Sequence, residues 1–115
     1  MVTIKSIEPL TLSKLITTVK DKLLIIDVRE PIEYQRERIT GTINIPLGKI
    51  GIDIHFLPLG SIEKVIILCQ AGVRSLMACE KLNKEGLPVE SINLSGGINN
   101  WKTHGLKTIQ TIDLS

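Results

Sequence analysis

Cys69 and Arg74 bracket a six-residue run, Cys69-Gln70-Ala71-Gly72-Val73-Arg74, that follows the aliphatic stretch Val65-Ile66-Ile67-Leu68 and leads through Ser75 into a helical pattern. A cysteine between a buried strand and a helix start sits where open α/β sheets gather their chemistry. The backbone N–H groups of Gln70 to Ser75 have no strand partners, so curling into a nest points them at whatever sits on the sulfur. Gly72 supplies a residue free to adopt positive φ in that turn. An ordinary thiol of pKa ~8.5 is only about 3% thiolate at pH 7, whereas a helix N-terminus and a neighbouring arginine lower it to roughly 3.5–7.5. A two-unit shift corresponds to about 2.7 kcal/mol and makes the thiolate dominant. The chemistry implied is a nucleophilic sulfur that holds an anionic cargo. With no context, the same cysteine reads as a small core hydrophobe.

The elements that position this loop alternate along the chain. Strand-like Ile4 to Ile7 precedes helical Leu12 to Val19, and strand-like Leu23 to Val28 precedes helical Pro31 to Arg36. Ile43 to Ile45, a less regular Leu47 to Leu59, the strand Val65 to Leu68, a helix from Ser75 to about Glu85, the strand Val89 to Leu94 and a short helix Ile98 to Thr103 complete the series. This rhythm predicts a mostly parallel sheet covered by helices on both faces, with the all-apolar Leu23-Leu24-Ile25-Ile26 as a central strand. Gly86-Leu87-Pro88 stops the long helix with a C′ glycine and a proline. The tail, Leu106 to Ser115, carries Ile109, Ile112 and Leu114 and fits an extra strand, a packed extension or part of a dimer contact.

A chain of 115 residues fits one domain over residues 1–115, able to bury about two thirds of its unfolded surface without disulfides or metal. Fourteen Lys/Arg against 12 Asp/Glu, spread along the chain, argue against nucleic-acid or membrane-surface binding. No apolar stretch approaches the ~18 residues of a membrane span, and Met1-Val2-Thr3-Ile4-Lys5 lacks the apolar core of a signal peptide. A cytoplasmic, reducing location is the expectation. Two cysteines, Cys69 and Cys79, make no disulfide framework, and no Cys/His cluster has metal-ligand spacing, so neither metal nor cofactor is expected.

Asp27-Val28-Arg29-Glu30-Pro31 with Glu33-Tyr34, the segment Ile39-Thr40-Gly41-Thr42-Ile43-Asn44-Ile45-Pro46-Leu47, the Cys69 loop and Leu94-Ser95-Gly96-Gly97-Ile98 together resemble a single-domain rhodanese over roughly Ile4 to Gly105. The resemblance implies a three-layer α/β/α domain with a five-stranded sheet, and a sulfurtransferase that carries sulfur as a persulfide on the loop cysteine. It makes Cys69 the nucleophile and Gln70, Ala71, Gly72, Val73, Arg74 and Ser75 the surrounding substrate-binding loop. It also implies a small anionic donor such as thiosulfate and a thiol or cyanide acceptor, with a sulfur-carrier or thioredoxin-like protein as a further partner. A non-enzymatic sulfur-relay or protein-binding module is the alternative. Phosphatases with related loops use Cys-x5-Arg, wide enough for a tetrahedral phosphate, whereas Cys-x4-Arg here suits a single sulfur atom and holds no Asp; phosphatase or arsenate reductase activity ranks below sulfur transfer. Two departures stand out. Glu37-Arg38 occupies the place where the family commonly has Gly-His, and Ile98 replaces an aromatic residue after the Gly-Gly pair.

The remaining candidates divide between support and chemistry. Asp27 and Arg29 resemble the family's scaffolding at a strand end. Gly96 and Gly97 permit a tight turn and close approach to the loop, with Trp101 packed beside it. Cys79 would be a resolving thiol in a dithiol pair, but Ser75, Ala78, Cys79 and Leu82 share one helix face, which predicts a buried structural thiol. Arg36 and Arg38 are either solvated charges or a steering patch for an anionic donor. His55 and His104 have no acidic or cysteine partner in sequence and read as surface or packing residues.

Overall fold

The strand Lys64–Leu68 is apolar from its second residue onward because both its faces are covered, and it lies at the centre of the sheet. The computed structural model describes residues 3–115; Met1 and Val2, part of the stretch read as lacking a signal-peptide core, lie outside the described residues. In chain order the elements are β1 (Lys5–Ile7), α1 (Pro9–Thr18), β2 (Leu23–Asp27), α2 (Pro31–Arg36), β3 (Glu37–Arg38), β4 (Ile43–Asn44), α3 (Ile50–Asp53), β5 (Lys64–Leu68), α4 (Val73–Lys84), β6 (Ser91–Leu94), α5 (Gly97–Thr103) and β7 (Ile109–Gln110). Strands β1-β6-β5-β2-β4 form one sheet in that order, and every pairing in it is parallel. Helices cover both faces, as the alternating pattern predicts.

Alternation along β5 divides the core in two. Val65, Ile67 and Cys69 face one way and pack with Ile26, Val28, Ile50, Ile54, Ala78, Cys79 and Leu82 under α3 and α4. Ile66 and Leu68 face the other way, against Leu12, Leu94, Ile98 and Trp101 of the α1 and α5 side. Each buried Ile or Leu here is worth about 1.5–3 kcal/mol. The same alternation sends the Cys69 side chain toward α4.

Several boundaries differ from the sequence pattern. Helix α4 begins at Val73, two residues before Ser75, because Gly72 at φ +99° serves as its N-cap. Helix α1 begins at Pro9, a residue suited to a first helical turn since its missing N–H has no partner there anyway. The irregular stretch after Leu47 becomes the short α3 followed by a 3-10 turn over Ile54–Phe56. The tail takes the strand alternative: β7 pairs antiparallel with β3, Arg38 opposite Ile109 and Glu37 opposite Gln110. Among the described residues no helix is long and apolar enough to cross a membrane.

Candidate active site

Strand β5 ends by passing Cys69 beneath the start of α5. The Cys69 carbonyl accepts from the Ile98 N–H at 2.9 Å and the Gln70 carbonyl from the Asn99 N–H at 3.0 Å. With both carbonyls tied to α5, the following peptide groups turn their N–H faces toward the sulfur. Gly72 N–H donates to Cys69 Sγ at 3.1 Å, and Ser75 Oγ lies 3.3 Å from the same atom. Cys69 is only 1% exposed. Burial alone opposes ionisation, but the Ser75 hydroxyl and the backbone N–H groups of Ser75, Gly72 and Ala71 outweigh it, so the thiol pKa falls below its ordinary value. The N-terminus of α4 adds its positive end to the same place.

Two glycines make this geometry accessible. Gly97, at φ +60°, packs so tightly on the loop that a Cβ would collide with the Cys69 carbonyl oxygen and lie 2.7 Å from that of Gln70. Gly72 approaches Gly96, where a Cβ would come within 3.3 Å of the Gly96 nitrogen. Both members of the Gly-Gly pair therefore make the close approach expected of them, Gly97 against the Cys69 and Gln70 carbonyls and Gly96 against Gly72; a Cβ on Gly96 would meet Asn100, whose side chain donates to the Ser95 carbonyl.

Arg74 does not stand free over the sulfur. Its guanidinium forms two bonds to Glu33 of α2, at 2.7 and 2.9 Å, which link the first turn of α4 to that of α2. Glu33 also accepts from the Glu30 N–H at 2.8 Å, and the Arg74 pair holds the Glu33 carboxyl down at about 2. Much of the Arg74 charge is thus neutralised, and the backbone amides and Ser75 carry the contacts to Sγ. Ala71 and Val73 point outward, exposed at the rim.

Arg29 and Asp27 are both buried and bond through Nε and Nη2 at 2.9 to 3.0 Å. Arg29 also donates to Gln70 Oε1 at 3.1 Å and to the Glu37 carbonyl, and Gln70 in turn donates to Asn99. The pair therefore fixes the side chain of the first loop residue while tying β2 to β3. Trp101 packs in the α1/α5 core, and its indole N–H donates to the Lys107 carbonyl at the start of the tail. Cys79 is fully buried on the inner face of α4, and burial pushes its thiol up to about 11. Arg36 is exposed, and the Arg38 guanidinium lies over the Tyr34 ring at 5.7 Å. His55 is exposed near Glu85, and His104 is exposed with Nδ1 near the Asn100 carbonyl.

Three members of the site have no chemical mark in the sequence. Glu33 lies 41 positions from Arg74, and Asn99 lies 29 from Gln70. Asn93 accepts from Ser75 at 2.6 Å across 18 positions. One signal is available in retrospect: β6 reads Ser91-Ile92-Asn93-Leu94, a polar alternation on a strand expected to be covered on both faces. Among the described residues no three His, Cys, Asp or Glu side chains gather as a metal site.

The family model described as the rhodanese-like domain matches residues 9–104. The chain belongs to the rhodanese-like family. Within it, a protein named sulfurtransferase from Allochromatium vinosum is 31% identical over 106 residues, covering 92% of this chain and 95% of its own length. An uncharacterized protein of Synechocystis is 36% identical over 107 residues, and there this rhodanese-like chain spans 92% of itself but only 56% of its relative. Among solved structures, a rhodanese-related protein of Thermoplasma volcanium superposes with TM-score 0.77 at 28% identity, covering 91% of this chain and 97% of that one.

Proposed function

We propose that the protein is a sulfurtransferase that carries sulfur as a persulfide on Cys69. The Cys69 thiolate attacks the outer sulfur of a donor such as thiosulfate; the S–S bond to that sulfur forms, the bond to the sulfonate sulfur breaks, and sulfite leaves with the electron pair. The terminal sulfur anion then accepts the N–H groups that faced the thiolate. In the second half-reaction an acceptor thiolate or cyanide attacks the terminal sulfur, and Cys69 leaves as the thiolate. This is a ping-pong cycle, and the donors around Sγ ease ionisation of the thiol by holding its pKa below the ordinary value. Fixed donors aimed at the position of negative charge act in both steps as an oxyanion hole does.

The observation that carries this reading is the buried Sγ at the end of a Cys-x4-Arg loop, already in contact with the Gly72 N–H and the Ser75 hydroxyl. Relatives named for sulfur transfer support it, as does a putative sulfur carrier protein of Bacillus subtilis, 35% identical over 81 residues. That last relative also favours a relay reading, in which the acceptor is a protein thiol. Val73 and Met77, 69% and 55% exposed on the outer side of α4 beside the loop, would give such an acceptor an apolar footing. The use of two unpaired thiols suits a reducing, cytoplasmic setting.

Incubation with thiosulfate is expected to add one sulfur atom to Cys69, seen by intact mass and removed by cyanide. Cys69→Ser abolishes the addition and Cys79→Ser retains it. A wild-type protein that stays unmodified with several donors overturns the proposal, and hydrolysis of para-nitrophenyl phosphate that depends on Cys69 would favour a phosphatase instead.

A further inference from the structure

Strand β6 turns two polar side chains, Ser91 and Asn93, toward α4. Ser91 stitches strand to helix: its hydroxyl lies 2.8 Å from Asn83 Oδ1 and 3.4 Å from the Cys79 carbonyl. Asn93 does something else. It is 7% exposed, and among the described residues its side-chain bonding goes to Ser75 alone, at 2.6 Å. Ser75 is fully buried, and its other side-chain neighbour is Cys69 Sγ at 3.3 Å. Sulfur, hydroxyl and amide therefore form a line of three through a single rotatable proton.

A serine hydroxyl has one proton to give and two lone pairs to receive with, while a carboxamide offers a carbonyl on one side and an NH2 on the other. With Asn93 Oδ1 toward Ser75, the hydroxyl proton is committed to Asn93, and the bond to Cys69 runs from S–H to Oγ. That arrangement suits the neutral thiol. With the amide turned over, Nδ2 donates to Oγ and the Ser75 proton is released to the sulfur, which suits a thiolate or a persulfide anion. We propose that Asn93 is a positioning residue for Cys69, acting through Ser75, whose amide orientation sets whether that hydroxyl receives from the thiol or donates to the sulfur anion. An aspartate at this position, able only to accept when ionised, would hold Ser75 in the arrangement that favours the thiol. The proposal rests on Cys69 being the nucleophile, and its test uses no sulfur donor, so it can fail while sulfur transfer stands.

The charged groups around the loop are Arg74, paired with Glu33 of α2, and the Asp27–Arg29 pair at the end of β2; all are left intact by the variants. The rate of Cys69 alkylation by iodoacetamide, mapped by peptide mass against pH, gives the ionisation midpoint. Ser75→Ala is expected to raise it by about one pH unit. Asn93→Asp is expected to raise it likewise, and to raise it by less than half as much in the Ser75→Ala background. An unmoved midpoint in Asn93→Asp, or an equal shift with and without Ser75, overturns the proposal. A second measurement needs no change at Asn93: in the 15N-labelled wild type, the Asn93 side-chain NH2 signals should move with the Cys69 midpoint, and Ser75→Ala should abolish that movement. Signals that stay fixed through the Cys69 transition overturn it as well.

Discussion

Replacing Gly97 with alanine separates two effects that glycine serves here, backbone freedom and close approach. Gly41 provides the control, because it too has positive φ, +82° against +60° at Gly97, yet a Cβ on it meets nothing within 4 Å. An alanine forced into the left-handed region costs about 1–2 kcal/mol at either site. At Gly97 the added methyl would also press on the Cys69 and Gln70 carbonyl oxygens, which belong to backbone and cannot swing aside. Helix α5 must then retreat, and the bonds from Ile98 N–H and Asn99 N–H, at 2.9 and 3.0 Å, are lost or stretched. At about 0.5–1.5 kcal/mol net for each bond, Gly97→Ala is expected to cost about 2–5 kcal/mol in all, against about 1–2 for Gly41→Ala. Urea denaturation of both variants measures the difference, and thiosulfate loading followed by intact mass reads the loop. Gly41→Ala should load like wild type, whereas Gly97→Ala should load slowly or not at all because the carbonyls that orient the cradle have moved. Equal destabilisation of the two variants with normal loading in both would refute the reasoning.

Other perturbations address the supports around the loop. The Glu33 carboxyl is depressed from 4.5 to about 2 in the folded state, so the unfolded chain binds its proton first; the pair stabilises fully above pH 4.5 and its contribution disappears as pH falls toward 2. Because both partners are about one third exposed, this contribution is expected to be about 1 kcal/mol, read as the part of the acid-unfolding curve that Glu33→Gln lacks. Arg29→Ala leaves Asp27 buried without its partner and is expected to cost about 3–5 kcal/mol in chemical denaturation. Glu37 accepts from Lys102, Thr108 and Gln110, so Glu37→Ala should release the tail and speed tryptic cleavage after Lys107 while leaving the denaturation midpoint little changed. Cys79, raised to about 11 by burial, should resist alkylation at pH 8 in the folded protein and react only after unfolding.

The Glu37 contacts give a physical meaning to the departure at Glu37-Arg38. A carboxylate there is the anchor for the segment that follows α5: it holds Thr108 and Gln110 by their side chains, while β3 holds the tail by its backbone. The tail and the loop are also joined through neighbouring bonds, since the Glu37 carbonyl accepts from Arg29 and Arg29 donates to Gln70. In sequence these residues are separated by up to 73 positions, and nothing in their types announces the pairing.

What the sequence determined by itself is local or periodic. Continuous apolar runs made β2 and β5 interior strands, the spacing of Ser75, Ala78, Cys79 and Leu82 made one face of α4 the buried one, and the run from Cys69 to Arg74 marked the candidate site with its glycine at the position of positive φ. Such features are legible because side-chain period and backbone preference act between near neighbours. Only the tertiary structure decided what each polar group faces. It gave the Arg74 hydrogen bonds to Glu33, placed Trp101 in the core on the tail's side of the molecule, and brought Asn93 to Ser75. Those pairings depend on how parallel strands and their helices are set side by side. A buried donor takes whichever acceptor that packing places within reach, and sequence distance has no bearing on it.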